Sequence, residues 1–244
     1  MYSNIKRLYI QQSLKKNEEL CIVGKRCHYL RNVIRVKKDD IIRIFNGKDG
    51  EWLGKLIKIE KKVIFLNIEK KIRNQEQNLD LWLFFAPIKK DRLNILIQKS
   101  TEVGVSKFIP IKTERGNIGN INIINLKQNA ITASEQSERL DVPEVNEKIN
   151  LDGVYDFNFD KRCLLYCDEQ NLKNLNLFKT LYKIKSKFSK WSIIIGPEGG
   201  FSLEEKKAIL KLKNVFPVSL GKRLLRSDTA ATVALFSIQQ FIED

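Results

Sequence analysis

Three short apolar runs constrain this chain more than anything else in it: Leu81-Trp-Leu-Phe-Phe-Ala86, Cys163-Leu-Leu-Tyr-Cys167 and Trp191-Ser-Ile-Ile-Ile195. A strand with almost no polar residue has no face to offer to water, so both faces must be covered by other elements. The stretches between these runs carry apolar residues at helical spacing. Leu93, Leu96, Ile97, Ser100 and Val103 share one helical face, and Gly104 stands where a helix would be closed. Strands are also expected over Val105–Ile111 and Val215–Ser219. Helices are expected over Ile124–Arg139, from Ser202 to about Lys213, and through Ala230, Val233, Ala234, Ile238 and Phe241. Ser202-Leu-Glu-Glu205 reads as a capping box, in which the serine hydroxyl accepts the Glu205 N–H and the glutamate reaches back. Alternation of this kind predicts a largely parallel α/β sheet from residue 75 onward.

Residues 1–74 read differently. Ile41–Phe45, Glu51–Ile59 and Val63–Ile68 are short strands punctuated by Asn46-Gly47 and Asp49-Gly50, the pattern of a small β-barrel, with one short helix over Gly24–Val33. The polar stretch 70–79 reads as a linker, giving two domains, 1–74 and 75–244.

Charge separates the same two segments. The chain carries 44 Lys+Arg against 29 Asp+Glu, net +15, with His28 its single histidine. Residues 1–74 hold 19 basic and 8 acidic residues, net +11, and the remainder 25 and 21, net +4. A genome-wide bias toward Lys, Ile and Asn would not concentrate the excess in this way. A concentrated positive field attracts polyanions. No basic amphipathic helix appears in 1–74, which favours nucleic acid over a membrane surface. No run of about 18 apolar residues is present, and Met1-Tyr-Ser-Asn-Ile-Lys-Arg7 lacks the apolar core of a secretory leader. Cys21, Cys27, Cys163 and Cys167 form no C-x-x-C pair, so reduced core thiols are expected and a metal site is not. The expectation is a soluble cytoplasmic protein.

Two loops are candidates for chemistry. Gly196-Pro-Glu-Gly-Gly-Phe-Ser202 follows a buried strand and precedes a capped helix, at the strand's carboxyl end, where open α/β sheets bind ligands. Taken alone it also reads as an ordinary strand-to-helix turn. Leu220-Gly-Lys-Arg-Leu-Leu-Arg-Ser-Asp-Thr-Ala-Ala231 occupies the equivalent place after the last strand, with Ser227 or Asp228 placed to cap the closing helix. Two arginines within four positions beside so tight a junction are poorly explained by packing. The chain has no G-x-G-x-x-G, no P-loop and no G-x-S-x-G. His28, far in sequence from both loops, is expected to be structural or RNA-facing.

At these residues the chain resembles the bacterial 16S rRNA uracil-N3 methyltransferase (RsmE) family of the SPOUT class of S-adenosylmethionine enzymes. The likeness runs nearly end to end. It rests on His28–Val36, Phe45–Trp52, Gln98-Lys-Ser-Thr-Glu-Val-Gly-Val105, Thr113-Glu-Arg115, Ser134-Glu-Gln-Ser-Glu-Arg139 and the two loops above. Three positions depart from the family pattern: Asp228 where Glu is usual, Gly116 where Ser is usual, and Asp39 where Gly is expected.

The resemblance implies a PUA-like RNA-binding barrel followed by an α/β domain with a deep trefoil knot, working as a homodimer on 16S rRNA in the small ribosomal subunit. It implies S-adenosylmethionine held by Thr113, by Gly196, Pro197, Glu198, Gly199 and Gly200, and by Leu220, Gly221, Leu224, Leu225, Arg226 and Ala231. RNA contact would fall on Arg7, Arg26, His28, Arg31 and Arg35, with Arg115 and Arg223 beside the cofactor loops. Methylation at uridine N3 requires loss of its proton, and negative charge then spreads to O2 and O4. Arg226 or Arg139 would stabilise that charge. Glu198 or Asp228 would take the proton if a dry site raised its pKa. Two rival readings are a SPOUT ribose 2′-O-methyltransferase and a non-catalytic RNA-binding assembly factor. The first usually carries an Arg in its first motif and an Asn in its last, and this chain has neither. The second has no need of both glycine-rich loops.

Overall fold

The computed structural model describes residues 5–116, 119–168 and 175–243. Residues 1–4, part of the segment read for a leader, lie outside the described residues. The chain divides into two compact units, one made of residues 1–77 and 134–142, the other of 78–133 and 143–244.

The first unit is a five-stranded sheet in the order β1-β3-β4-β5-β2. Strand β1 (Arg7–Tyr9) runs parallel to β3 (Ile41–Phe45). β3, β4 (Glu51–Ile59), β5 (Val63–Arg73) and β2 (Glu19–Val23) pair antiparallel in turn. The turn between β3 and β4 is built by Asn46, whose side-chain oxygen accepts the N–H groups of Lys48 and Asp49 at 2.9 and 2.8 Å. Such a side chain imitates a backbone turn. Leu8, Ile22, Ile42, Ile44, Leu56, Ile64, Leu66 and Ile68 form the core.

This sheet is the small β-domain expected from the sequence, with β1 and β2 at the ends of the strand order. Two sequence expectations change here. The stretch expected as a linker from residue 70 still belongs to β5 as far as Arg73, because Lys70, Lys71 and Arg73 stay in register with β4. The helix expected over Gly24–Val33 is α1 (Gly24–His28) continued by a π-helical turn, Tyr29–Ile34, that closes on Arg35 in the left-handed region at φ 60°.

A buried cluster of arginines brings residues 134–142 into this unit. The Arg7 guanidinium donates to Glu51 Oε1 at 2.6 Å and to the carbonyls of Ser134 (2.9 Å), Glu135 (3.1 Å) and Arg139 (2.7 Å). Arg43 holds Glu138 with two hydrogen bonds of 2.7 and 2.6 Å, and Arg73 donates to the Glu138 carbonyl at 2.9 Å. These contacts explain why α3 (Ile123–Gln136) stops short of Arg139: Arg7 takes the carbonyls that another helical turn would use. They also correct the expectation for Arg7. Its side chain is 3 % exposed, so it is an internal tie and not an RNA contact.

The second unit is a parallel sheet in the order β11-β13-β10-β12-β6-β7-β8, with β9 also on β7. Its strands are β6 (Leu81–Phe85), β7 (Lys107–Lys112), β8 (Glu144–Val145), β9 (Ile149–Asn150), β10 (Arg162–Cys167), β11 (Leu175–Asn176), β12 (Lys190–Ile195) and β13 (Val215–Ser219). One register row crosses five of them: Phe108, Leu83, Ile193, Leu165 and Phe216. The three apolar runs read from the sequence are β6, β10 and β12, at the centre, as strands buried on both faces should be. Helix α2 (Lys90–Glu102) packs on α6 (Ser227–Glu243), and α6 lies against β12. α5 (Leu203–Lys211) contributes Ile209 to the opposite core, with Phe84, Tyr166, Ile194 and Phe201. α4 (Leu177–Ile184) completes the set. Cys27, Cys163 and Cys167 are buried and form no disulfide, and Cys21, expected in the core, is exposed because it falls on the outward phase of β2. Burial pushes the Cys163 thiol up to about 12.

Arg7→Met should cost about 3 kcal/mol or more in urea unfolding, because the fully buried Glu51 carboxylate loses its 2.6 Å hydrogen bond and keeps only Arg43 and Arg73 at 3.7 and 3.8 Å, and three carbonyls lose their donor. Arg73→Met, at a side chain 32 % exposed, should cost under about 1 kcal/mol. Equal losses would show that the buried tie carries no special weight.

Candidate functional site

Parallel pairing sets the carboxyl ends of β6, β10, β12 and β13 on one side of the sheet, and the chain leaves all four there. A cavity of about 840 Å³ opens at these ends. It is lined by Lys89 and Arg92 after β6, Cys167 and Asp168 after β10, Ile195 to Glu198 after β12, and Val218 to Ser227 with Ala230 around the end of β13. The volume lies within the range of small-molecule sites.

The glycine loop after β12 has local reasons for its sequence. A Cβ on Gly196 would sit 2.9 Å from the Phe201 ring, so the loop can fold back over that ring only with glycine there. Gly200 has φ 66° and donates to the Pro197 carbonyl at 2.9 Å, closing the turn that delivers Phe201 and Ser202 to α5. The capping box forms as read: Ser202 Oγ accepts the Glu205 N–H at 3.3 Å, and Glu205 Oε2 accepts the Ser202 N–H at 2.8 Å. The last loop is tied to the glycine loop by the buried Ser227 hydroxyl, which donates to the Gly196 carbonyl at 3.0 Å.

The electrostatics are organised by a residue that the sequence reading did not single out. Arg92, in the first turn of α2, pairs with both Glu198 and Asp228, its Nε lying 3.3 Å from Asp228 Oδ2. Asp228 is 14 % exposed and Glu198 52 %, so the aspartate is the enclosed partner. The Arg92 guanidinium holds the Asp228 carboxyl below its ordinary range. This corrects the expectation of Asp228 as a base of raised pKa: it is a committed carboxylate, fixed at the amino end of α6. Arg92, Lys89 and Asp168 follow strands at their carboxyl ends, so the rule that picked out the two loops would have found them if applied to β6 and β10.

The remaining candidates fall as follows. Gly196, Pro197, Glu198, Leu220, Gly221, Leu224, Leu225 and Arg226 line the cavity. Thr113, Gly199, Gly200 and Ala231 are not among its lining residues. Thr113, after β7, is 5 % exposed, and its Oγ1 has no hydrogen-bond partner. Ala231 is fully buried in α6. Arg115 is exposed and donates to the Gly199 carbonyl at 3.1 Å. Arg223 and Arg226 are exposed on the last loop. Arg139 belongs to the first unit, where its guanidinium holds Asp141 at 3.0 Å. In that unit His28, Arg31 and Arg35 are exposed, and Arg26 stacks over the Tyr9 ring at 5.3 Å.

Comparison with known proteins finds two family models along the chain. Residues 75–239 match the model of an RNA methyltransferase domain, and residues 24–69 that of an RNA methyltransferase PUA domain. Ribosomal RNA small subunit methyltransferase E of Rickettsia conorii is 31% identical over 234 residues, covering 96% of this chain and 94% of the relative. The protein of the same name from Buchnera aphidicola subsp. Acyrthosiphon pisum is 31% identical over 250 residues, 98% and 95% of the two chains. The crystal structure of the Neisseria gonorrhoeae protein of that name, bound to S-adenosyl methionine, superposes with a TM-score of 0.86 at 25% identity, covering 97% of this chain and 98% of that one.

The Arg92–Asp228 pair has a measurable acid signature. The carboxyl's folded-state pKa is depressed below its ordinary 3.8, so the stability it contributes is present above that value. It is lost as pH falls through the lower, folded value. The stability difference between the native chain and Asp228→Asn should therefore be largest near neutrality and vanish in strong acid. A difference that does not change with pH would show that Arg92 does not hold this carboxylate.

Proposed function

This chain belongs to the ribosomal RNA small subunit methyltransferase E family, and from that footing we propose that it transfers a methyl group from S-adenosylmethionine to N3 of one uridine of 16S rRNA in the small ribosomal subunit. The observation that carries this reading is the cavity where β12 and β13 end. Its two glycine-bearing loops are tied together by Ser227, and Lys89, Lys222, Arg223 and Arg226 on its rim have no acidic partner among the described residues, Arg92 alone being paired with Glu198 and Asp228.

The lining suits the cofactor. Ile195, Val218, Leu220, Leu224 and Leu225 offer apolar surface for a flat base, and the loop backbones offer N–H and C=O groups for its polar edge. Thr113 Oγ1, outside the cavity lining, is buried and has no hydrogen-bond partner among the described residues. Bound there, the cofactor supplies an electrophilic methyl group on a sulfonium, a good leaving group.

The chain's own residues then do three things. They hold the acceptor in line with the methyl group, which alone accounts for a large part of such a rate. Arg226, exposed on the cavity wall and without a carboxylate partner among the described residues, meets the negative charge that spreads over O2 and O4 as N3 loses its proton. Arg92 pairs with both carboxylates, but Asp228 is enclosed while Glu198 is half-exposed, and we assign to Glu198 the acceptance of that proton. In the balanced step the N3–H and S–CH3 bonds break, the N3–CH3 bond forms, and the cofactor leaves as a neutral thioether.

RNA is held by His28, Arg31, Arg35 and Arg26 of the first unit and by Arg115 and Arg223 near the cavity. These groups read phosphate and shape. Two further properties belong to this reading. The connection from β12 to β13 passes over β10, which supports the trefoil knot of the class. Val233 and Phe236 of α6 and Phe178 and Tyr182 of α4 are exposed, an apolar surface that supports a homodimer. The protein would act in the cytoplasm, where small subunits are assembled.

Small subunits lacking the modification, incubated with the protein and S-adenosylmethionine and digested to nucleosides, should yield N3-methyluridine by mass spectrometry. A 2′-O-methylated nucleoside, or none with cofactor bound, would overturn the assignment. Arg226→Ala should lower kcat by about tenfold or more with these subunits. A fall within about threefold, under about 1 kcal/mol of barrier, would remove Arg226 from its role.

A further inference from the structure

In a capping box the glutamate needs only one carboxylate oxygen, the one that reaches back to the first backbone N–H of its helix. Glu205 uses Oε2 for this, at 2.8 Å from the Ser202 nitrogen. Its second oxygen does something a cap does not require: Oε1 accepts the backbone N–H of Glu114 at 2.7 Å, across 91 residues of sequence. The turn it grasps, Thr113 to Gly116, is closed by the Gly116 N–H on the Thr113 carbonyl at 3.2 Å. That turn is fastened to the glycine loop a second time by Arg115, which donates to the Gly199 carbonyl at 3.1 Å. Both fasteners lie within the second unit.

We propose that Glu205 is a positioning residue for the cofactor site, clamping the turn after β7 onto the loop after β12 and so fixing the loop whose Gly196, Pro197 and Glu198 line the cavity. This rests on the functional reading above, which places the cofactor at the loop after β12. The carboxylate suits the role: an ionised acceptor makes stronger hydrogen bonds to N–H groups than a neutral one, and its two oxygens serve two donors at once. Fixing both segments before binding removes the ordering cost that would otherwise weaken the cofactor. The cap alone does not explain the arrangement, because Lys206 to Lys211 would remain helical without a bond to Glu114.

Glu205→Gln separates the two jobs. Glutamine is an accepted capping-box partner, but it has a single acceptor oxygen, so the cap can persist while the clamp is lost. Ser202→Ala removes the other half of the cap and leaves both carboxylate bonds in place. Three measurements follow: cofactor affinity by calorimetry, Tm, and hydrogen exchange of the Glu114 amide without cofactor. Glu205→Gln should weaken cofactor binding about tenfold, expose the Glu114 amide to exchange and leave Tm close to that of the native chain. Ser202→Ala should lower Tm while keeping the Glu114 amide protected and binding within about twofold. Equal loss of affinity in the two variants, or an unchanged Glu114 amide in Glu205→Gln, would overturn the proposal. Absence of cofactor binding by the native chain would overturn the functional reading, while exchange at Glu114 would still decide whether the clamp exists. If Glu205→Gln fails to fold, the same exchange measurement on Glu205→Asp, whose shorter side chain cannot span both donors, replaces it.

Discussion

Parallel pairing in the second unit is the constraint from which its chemistry follows. Once β6, β10, β12 and β13 run in one direction, their carboxyl ends share one side and their exit loops must crowd there. The apolar residues that force double-sided burial also force the helices α2, α5 and α6 to return across the sheet faces, so α2 and α6 begin at the cavity and α5 follows the glycine loop that lines it. No active-site device is needed to collect Lys89, Arg92, Glu198 and Arg226 into one place. The sheet collects them because each follows, within a few residues, a strand that had to be buried.

The charge balance of that place then depends on one pairing. Glu198 and Asp228 would give the rim a negative character if left free. Arg92 binds both and leaves Lys89, Lys222, Arg223 and Arg226 as exposed cations without an acidic partner among the described residues. An anionic acceptor therefore meets a positive rim, while the carboxylates remain within reach. The substitution of Asp for the usual Glu at residue 228 fits this geometry. The shorter side chain sits in the first turn of α6, accepts its neighbour's N–H at 3.0 Å from Thr229, and is met there by the long arm of Arg92. The reach lost by one partner is made up by the other.

The architecture of the second unit was legible because its signals are local. A run such as Leu81–Ala86 states its own burial, and Ser202 with Glu205 states its own cap. The two loops could be placed at strand ends from the elements on either side of them. Arg92 was not legible, because its partners lie 106 and 136 residues away and nothing around it in sequence is unusual. The second use of Glu205 was hidden for the same reason: the box was evident, but its spare oxygen finds a donor that only the fold brings near. Arg139 was assigned to the chemistry from its motif. Its neighbours in the fold explain that motif otherwise, since Ser134, Glu135, Glu138 and Arg139 are the groups that Arg7 and Arg43 hold.

The last case bears on how a basic domain should be read. Residues 1–74 carry a strong positive excess, yet arginine and lysine divide that excess unequally. Arg7 and Arg43 are buried and Arg73 is half-covered, all three drawn onto Glu51 and Glu138, where a planar fork that binds a carboxylate and carbonyls together is needed. Lys15, Lys25, Lys37, Lys38, Lys48, Lys61 and Lys62 are exposed. The net charge therefore does describe the surface, but its carriers are mostly ammonium groups on flexible stems, which bind phosphate as point charges and read no base edge. A domain built in this way can hold a folded RNA firmly without selecting a nucleotide in it. In the second unit Arg223 and Arg226 are exposed at the cavity, where a planar fork can meet a base edge as a point charge cannot.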